Sequence, residues 1–151
     1  MVTVMSVPES VQTARLELSP GYPAGVTEEM IEALVHAFYR RARTDPVLGP
    51  VFEREVGDWA PHLAKMCDFW SSVTLMSGRY HGTPMQAHAR LAGIGPEHFA
   101  RWLELFGQTA LQVCPAEAAA LFVDRAQRIA ESLQLGIAIS RGEPPPGVAG
   151  G

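Results

Sequence analysis

The stretch TEEMIEALVHAFYRRA, residues 27–42, has the pattern of a complete amphipathic helix. Its apolar residues recur at the 3.6-residue spacing of one helical face; they are Ile31, Leu34, Val35, Phe38 and Ala42. Thr27 stands where its hydroxyl can cap the first turn. Glu28 and Glu29 follow, at the end where the helix dipole favours negative charge. This stretch therefore predicts a helix that buries one face in a core.

The helical pattern continues on the C-terminal side, interrupted by segments rich in Pro and Gly. The segment TDPVLGPVF, residues 44–52, is expected to break it, because Pro and Gly do not continue a helix. A second helix is expected after Asp58 as its cap, with Pro61 tolerated in the first turn. Further helices are predicted from Pro96 and from Cys114–Pro115 onward. No period-two alternation predicts a strand, so the fold class is all-α.

Length and composition indicate one domain with loose ends. The chain has 151 residues, of which 47% are hydrophobic, enough for one core. Residues 1–24 show no sustained period, and residues 141–151 form a Pro/Gly-rich tail. We expect both to be poorly ordered extensions of a domain at residues 25–140.

Charge and apolar runs exclude several classes of partner and location. The net charge is −4 and no Lys/Arg cluster stands out, so a nucleic-acid partner is not expected. No apolar run approaches the roughly 20 residues that span a bilayer, and the N-terminus does not resemble a secretory signal. Cys67 and Cys114 lie in helical patterns, as expected of free thiols. These features predict a cytoplasmic protein without a membrane partner.

The short segment PMQAHARL, residues 84–91, carries a histidine between two Gly-containing loops. It is too short to be a stable helix by itself, so His88 is either a surface residue or the point through which a cofactor holds the segment. Three other histidines are expected to face solvent: His36, His81 and His98. His62 differs from these, because it shares the inward face of its helix with Met66, Phe69 and Trp70.

Three polar side chains are expected to point into the core. Tyr39, His62 and Trp102 each carry a polar hydrogen on an inward helical face. A buried donor without a partner costs on the order of 1–3 kcal/mol. A bound polar diatomic ligand would give the three donors a shared purpose, whereas a solid helical core has little reason to gather them.

Five blocks in this order resemble the truncated haemoglobins, and within them the third group. The blocks are FYRRARTDPVLGPVF, WAPHLAKMCDFW, YHGTPMQAHARL, FARWLELF and DRAQRIAESL. The resemblance covers roughly residues 28–138 and implies a truncated globin, a two-over-two helical sandwich around a haem. The glycine-pair motifs of the first two groups are not evident.

The resemblance also implies roles for individual residues. His88 matches the proximal histidine that binds haem iron. Tyr39, His62 and Trp102 match the distal-pocket tyrosine, histidine and tryptophan. Phe52 matches a phenylalanine that packs against the haem, and three residues of the distal helix match pocket positions: Met66, Phe69 and Trp70. Lys65 is expected either to reach a haem propionate at the pocket rim or to be an ordinary surface lysine.

The expected cofactor is haem b, iron protoporphyrin IX, and the expected ligands are O2, CO and NO, with peroxide as a further candidate. A polar distal pocket favours chemistry on the bound ligand over bulk oxygen transport. Nitric oxide dioxygenase-like or peroxidase-like activity would need an external reductase. The alternative interpretation is a cofactor-free helical interaction or regulatory domain, since apolar stripes at helical spacing also form ordinary cores.

Overall fold

The architecture is helical throughout the part of the chain that the structure describes. This computed structural model describes residues 8–84, 88, 91 and 93–143. Its helices in these ranges are α1 Glu9–Leu18, α2 Glu28–Ala42, α3 Gly49–Glu55, α4 Trp59–Leu75, α5 Pro96–Val113 and α6 Ala116–Ser140. No β-strand occurs among the described residues, and the all-α prediction is confirmed. None of these helices is long and apolar enough to cross a membrane.

Helix α2 forms where the sequence predicted it and in the predicted way. The hydroxyl of Thr27 accepts a hydrogen bond from the Met30 N–H at 3.2 Å, which caps the first turn. All five residues of the predicted apolar stripe are buried. Basic Arg40 and Arg41 lie in the last turn, where their positive charges interact favourably with the negative end of the helix dipole.

Two pairs of helices make the core. Helix α2 packs against α4, helix α5 packs along α6, and α2 also lies against α5. Where the pairs meet, Phe106 stacks on Trp70 and on Trp102, with ring centroids 5.0 and 5.2 Å apart. Phe38 of α2 meets Phe106 edge to face at 5.6 Å. Such aromatic pairs contribute about 0.5–1.5 kcal/mol each beyond the area they bury.

The segment after α2 departs from its prediction. Helix α2 ends before it, as expected, but Gly49–Glu55 forms the additional helix α3. Pro50 lies in the first turn, where its missing N–H breaks no helical hydrogen bond. The Asp45 carboxylate accepts hydrogen bonds from the N–H groups of Val47 and Leu48, both at 3.0 Å, and so prepares that turn.

The start of α4 is confirmed, but the predicted side-chain cap is not. Asp58 directly precedes Trp59, the first residue of α4, and its side chain makes no capping hydrogen bond. Pro61 lies in the first turn, as the sequence predicted.

Residues 1–24, for which the sequence predicted a poorly ordered extension, contain a helix where the structure describes them; residues 1–7 lie outside the described residues. Helix α1 occupies Glu9–Leu18 although it buries no residue. Glu9 in its first turn and Arg15 in its last turn stabilise the helix, because their charges are opposite to those of the dipole ends beside them. The chain that follows is tied to α4, because the Gly21 N–H donates to the Thr74 carbonyl at 2.7 Å. A side chain at Gly21 would lie 2.6 Å from that oxygen, so only glycine allows this approach.

The C-terminal boundary also differs from its prediction. Residues 141–143, expected to belong to the flexible tail, close α6 in an ordered turn; residues 144–151 lie outside the described residues. Gly142 takes a positive φ of 69°, which favours glycine, and the Glu143 N–H donates to the Ala138 carbonyl at 2.8 Å.

Candidate functional site

A cavity of about 380 Å³ lies between the helices and the segment that carries His88. All nine site residues predicted from the sequence border it: Tyr39, Phe52, His62, Lys65, Met66, Phe69, Trp70, His88 and Trp102. Its volume falls in the range of roughly 300–1,000 Å³ that is usual for small-molecule and cofactor pockets. Residues from distant parts of the sequence therefore meet at one place.

His88 is half-buried and its ring is held by one hydrogen bond. Its Nδ1 lies 2.7 Å from the carbonyl oxygen of Pro84. A carbonyl oxygen can only accept, so Nδ1 carries the proton and donates. The neutral ring then has its lone pair on Nε2, the nitrogen that can bind a metal. Such an orienting bond from the other ring nitrogen is usual for metal-binding histidines.

Tyr39 forms part of an aromatic cluster on the cavity wall. Its ring meets Phe52, Trp59 and His62 edge to face, with centroids 5.3, 5.7 and 5.1 Å away. Burial raises the pKa of the Tyr39 phenol, and the nearby Cys67 thiol adds to the effect. Tyr39 is therefore a protonated phenol at neutral pH, and its hydroxyl is able to donate a hydrogen bond.

His62 carries a polar ring atom for which the described residues provide no hydrogen-bond partner. Its Nε2 is fully buried and makes no hydrogen bond with any described residue. Burial lowers the pKa of His62, and the positive charge of Lys65 lowers it further, so the ring is neutral at neutral pH. An unsatisfied buried polar atom costs about 1–3 kcal/mol. A polar ligand in the cavity would remove that cost.

Trp102 brings a third polar side chain to the cavity from α5. It is half-buried, its ring stacked on Phe106 and edge to face with Phe38 at 6.1 Å. These contacts fix the indole plane. Tyr39, His62 and Trp102 thus border one cavity, and of the three only Tyr39 is classed as buried.

Most of the remaining wall is apolar. Phe52, Met66 and Phe69 are half-buried, while Trp70 is 4% exposed and belongs largely to the core. Lys65 is exposed, as a side chain at the rim of the cavity would be. An apolar cavity with a few polar side chains and one cationic rim residue fits a flat apolar cofactor that carries acidic groups.

The structure also brings residues to the cavity that the sequence did not single out. Among those with aromatic or aliphatic side chains are Leu48, Val51, Val56, Tyr80, Leu91, Ile94, Phe99, Ile129 and Leu133. Tyr80 meets Phe69 edge to face at 5.2 Å. Its position in the block YHGTPMQAHARL was the available signal. The aliphatic residues of α6 resemble any core stripe, so nothing in the sequence separates them.

The prediction that His98 faces solvent is wrong. Its side chain is 16% exposed and lines the cavity. The ring turns back because its Nδ1 accepts a hydrogen bond from the Gly95 N–H at 3.0 Å. The missed signal was spacing, since His98 precedes Trp102 by four residues and so shares its helical face. His36 and His81 are exposed, as predicted.

Comparison with known proteins gives one consistent result. The group 3 truncated hemoglobin ctb of Campylobacter jejuni is 34% identical to this chain over 113 residues, which cover 72% of this chain and 89% of that protein. The crystal structure of the group III truncated hemoglobin from Campylobacter jejuni matches with a TM-score of 0.69 at 34% identity, over 72% of this chain and 88% of that one. No family model matches the sequence.

Proposed function

The chain belongs to the group III truncated haemoglobins, and from this premise we propose that it binds haem b through His88 and holds diatomic ligands among Tyr39, His62 and Trp102. Haem supplies an iron that binds oxygen, carbon monoxide or nitric oxide. We further propose that the protein serves chemistry on the bound ligand, and that residues 25–140 form the functional domain.

One observation carries this proposal: the hydrogen bond from His88 Nδ1 to the Pro84 carbonyl. It selects the neutral tautomer with a lone pair on Nε2, at a cavity whose wall is otherwise mainly apolar. A surface histidine on a connecting turn would not need that orientation. His88 would hold the haem iron through Nε2, and Lys65 at the rim would neutralise an acidic group of the cofactor.

The polar wall favours ligand chemistry over bulk oxygen transport. The phenol of Tyr39 stays protonated because burial raises its pKa, so it can donate to a ligand that gains negative charge. The unpartnered Nε2 of His62 can supply or accept a second hydrogen bond. A ligand held by several such groups leaves slowly, whereas transport requires prompt release. Conversion of nitric oxide and oxygen to nitrate, or of peroxide to water, fits slow release better.

The first experiment is a titration of the purified protein with ferric haem, followed by absorption spectra before and after reduction. We expect stoichiometric binding with the intense near-ultraviolet band of a protein-bound porphyrin, and a changed spectrum when carbon monoxide is added. A protein that takes up no haem would contradict the proposal and would favour a cofactor-free interaction domain.

The second experiment tests the reaction. The reduced, oxygen-loaded protein is mixed with nitric oxide in the presence of an external reductant, and nitrate is measured. Each nitrate formed from nitric oxide and oxygen takes up one electron, so the reductant must be consumed with it. Nitrate formation that is no faster with the protein than without it would remove this reaction from the proposal.

A further inference from the structure

A basic residue at the end of α6 is bonded to the segment that follows His88. Arg141 donates from Nη2 to the Leu91 carbonyl at 3.0 Å and from Nη1 to the Ile94 carbonyl at 3.2 Å. Both carbonyls belong to the chain between His88 and α5, and both residues line the cavity. One planar guanidinium thus holds two backbone groups at once, which a lysine ammonium cannot do in the same fixed geometry.

These bonds continue to His88 without a gap. The Leu91 N–H donates to the His88 carbonyl at 3.1 Å, and the His88 ring donates to the Pro84 carbonyl at 2.7 Å. A shift of the Leu91 peptide would therefore pass to the backbone of His88 and to its ring. Arg141 stands at the outer end of this chain of hydrogen bonds.

The end of α6 is itself well fixed. Ile137, four residues before Arg141, is 5% exposed and packs in a cluster with Phe99 and Leu133. Ile94 packs against the same cluster. The Arg141 N–H closes the last turn on the Ile137 carbonyl at 3.0 Å. Arg141 thus extends from the end of α6 to two backbone carbonyls of the neighbouring segment.

We propose that Arg141 is a positioning residue that sets the orientation of His88 toward haem iron and slows haem loss, an inference that rests on the proposed function. Arg141 does not line the cavity, so it acts through Leu91 and Ile94 and touches neither cofactor nor ligand. Gly93 and Gly95 flank Ile94 and make this part of the backbone easy to displace. The two hydrogen bonds from Arg141 fix this part of the backbone to the end of α6.

The test compares haem-loaded wild type with Arg141→Gln, Arg141→Lys and Arg128→Gln. Arg128 is a matched control, because it lies on α6, is 71% exposed and pairs along its own helix with Asp124 at 3.2 Å. Two quantities are measured: the rate of haem transfer to an excess of a haem-free acceptor protein, and the iron–histidine stretching band of the ferrous, ligand-free protein by resonance Raman spectroscopy.

We expect Arg141→Gln to speed haem transfer by about two- to tenfold, the factor for losing an exposed hydrogen bond. We also expect it to shift or broaden the stretching band, because the angle and strain of the His88 ring change. Arg141→Lys should fall between wild type and Arg141→Gln, since it retains the charge and one donor. Arg128→Gln should match wild type in both quantities.

Two results would overturn the role of Arg141 and leave the proposed function intact: an unchanged band in Arg141→Gln, or equal effects of Arg141→Gln and Arg128→Gln. A general loss of stability would speed haem transfer without moving the band, so that result also counts against positioning. Should Arg141→Gln fail to fold, the band of Arg141→Lys decides. A wild-type protein without bound haem would instead overturn the proposed function, and the inference with it.

Discussion

The rings of Tyr39 and His62 meet edge to face, with centroids 5.1 Å apart and planes at 88°. One ring comes from α2 and the other from α4, so the packing of these two helices decides how the two polar side chains meet at the cavity. Neither ring can shift far without disturbing the other. In the proposed function, the hydrogen bonds that a diatomic ligand receives therefore depend on the relative position of the Tyr39 and His62 rings.

Replacement of Tyr39 with Phe keeps the ring and its packing but removes the hydroxyl. A hydrogen bond to a ligand with partial negative charge contributes about 1.5–3 kcal/mol, so oxygen dissociation should become about ten- to a hundredfold faster. Carbon monoxide, which is less polar when bound, should respond much less. Stopped-flow dissociation rates of both gases measure the difference.

Tyr80→Phe serves as the control for this change, because Tyr80 is a second tyrosine that lines the cavity. The Tyr80 hydroxyl lies over Gly82, so close that a side chain added at Gly82 would collide with it. Tyr80→Phe should leave the dissociation rates of oxygen and carbon monoxide near those of wild type. Equal effects of Tyr39→Phe on the two gases would mean that Tyr39 is a packing residue.

Trp102→Phe combined with Tyr39→Phe should not give the sum of the two single effects. In the proposed function both side chains donate to one ligand in one cavity, and groups that share a partner are coupled by about 0.5–3 kcal/mol. A double-mutant cycle on oxygen dissociation measures this coupling. Additive effects would indicate that Trp102 contributes only through its stacking on Phe106.

His62→Leu should stabilise the haem-free protein and should speed the dissociation of oxygen from the haem-loaded protein. The substitution removes the buried Nε2 that has no partner, and we expect a gain of about 1 kcal/mol in the free energy of unfolding. Denaturant unfolding measures it, with exposed His36→Leu as the control. A destabilised His62→Leu protein would show that Nε2 already has a partner, such as an ordered water.

Asp45→Asn should destabilise the fold by about 1–3 kcal/mol at neutral pH, because Asp45 is a buried carboxylate that accepts several hydrogen bonds. Its Oδ1 accepts from the Arg101 side chain at 2.7 and 2.8 Å, and its Oδ2 binds the start of α3. The hydrogen bond from Arg101 holds the pKa of Asp45 below its usual value of 3.8, and the N–H groups of Leu48 and Val47 lower it further, while burial opposes them.

The pH dependence of this difference follows from the direction of that pKa shift. The unfolded chain binds the proton of Asp45 more readily than the folded protein does. The contribution of the carboxylate is therefore complete above the unfolded pKa and is lost as pH falls through the lower folded pKa. Unfolding curves from pH 7 down to about pH 3 should show wild type and Asp45→Asn converging in acid. A difference that stays constant would contradict the assignment.

The sequence predicted the parts of the fold that periodicity and capping specify locally. The stripe of α2, the starts of α4, α5 and α6, and the family itself were predicted correctly, because each rests on the order of nearby residues. Helix α3 was missed because its Pro and Gly resemble a break. Helix α1 was missed because it has no apolar stripe to detect.

The candidate site shows the same division. The nine site residues that the sequence predicted all border the cavity. His98 was misassigned although it lies four residues before Trp102, on the same helical face. The hydrogen bond that its ring accepts from the Gly95 N–H forms only in the folded chain. Arg141 could not be found at all, since its partners are backbone carbonyls about 50 residues earlier in the chain, at Leu91 and Ile94. Contacts between a side chain and a distant backbone leave no pattern in the sequence.

Haem binding through His88 is tested by the ferrous absorption spectrum of His88→Ala. The spectrum is recorded with and without added imidazole, beside His36→Ala as an exposed control. We predict that His88→Ala loses haem or its histidine-ligated spectrum, that imidazole restores the spectrum, and that His36→Ala matches wild type. An unchanged spectrum and unchanged haem affinity in His88→Ala would show that His88 is not the residue that binds the haem iron.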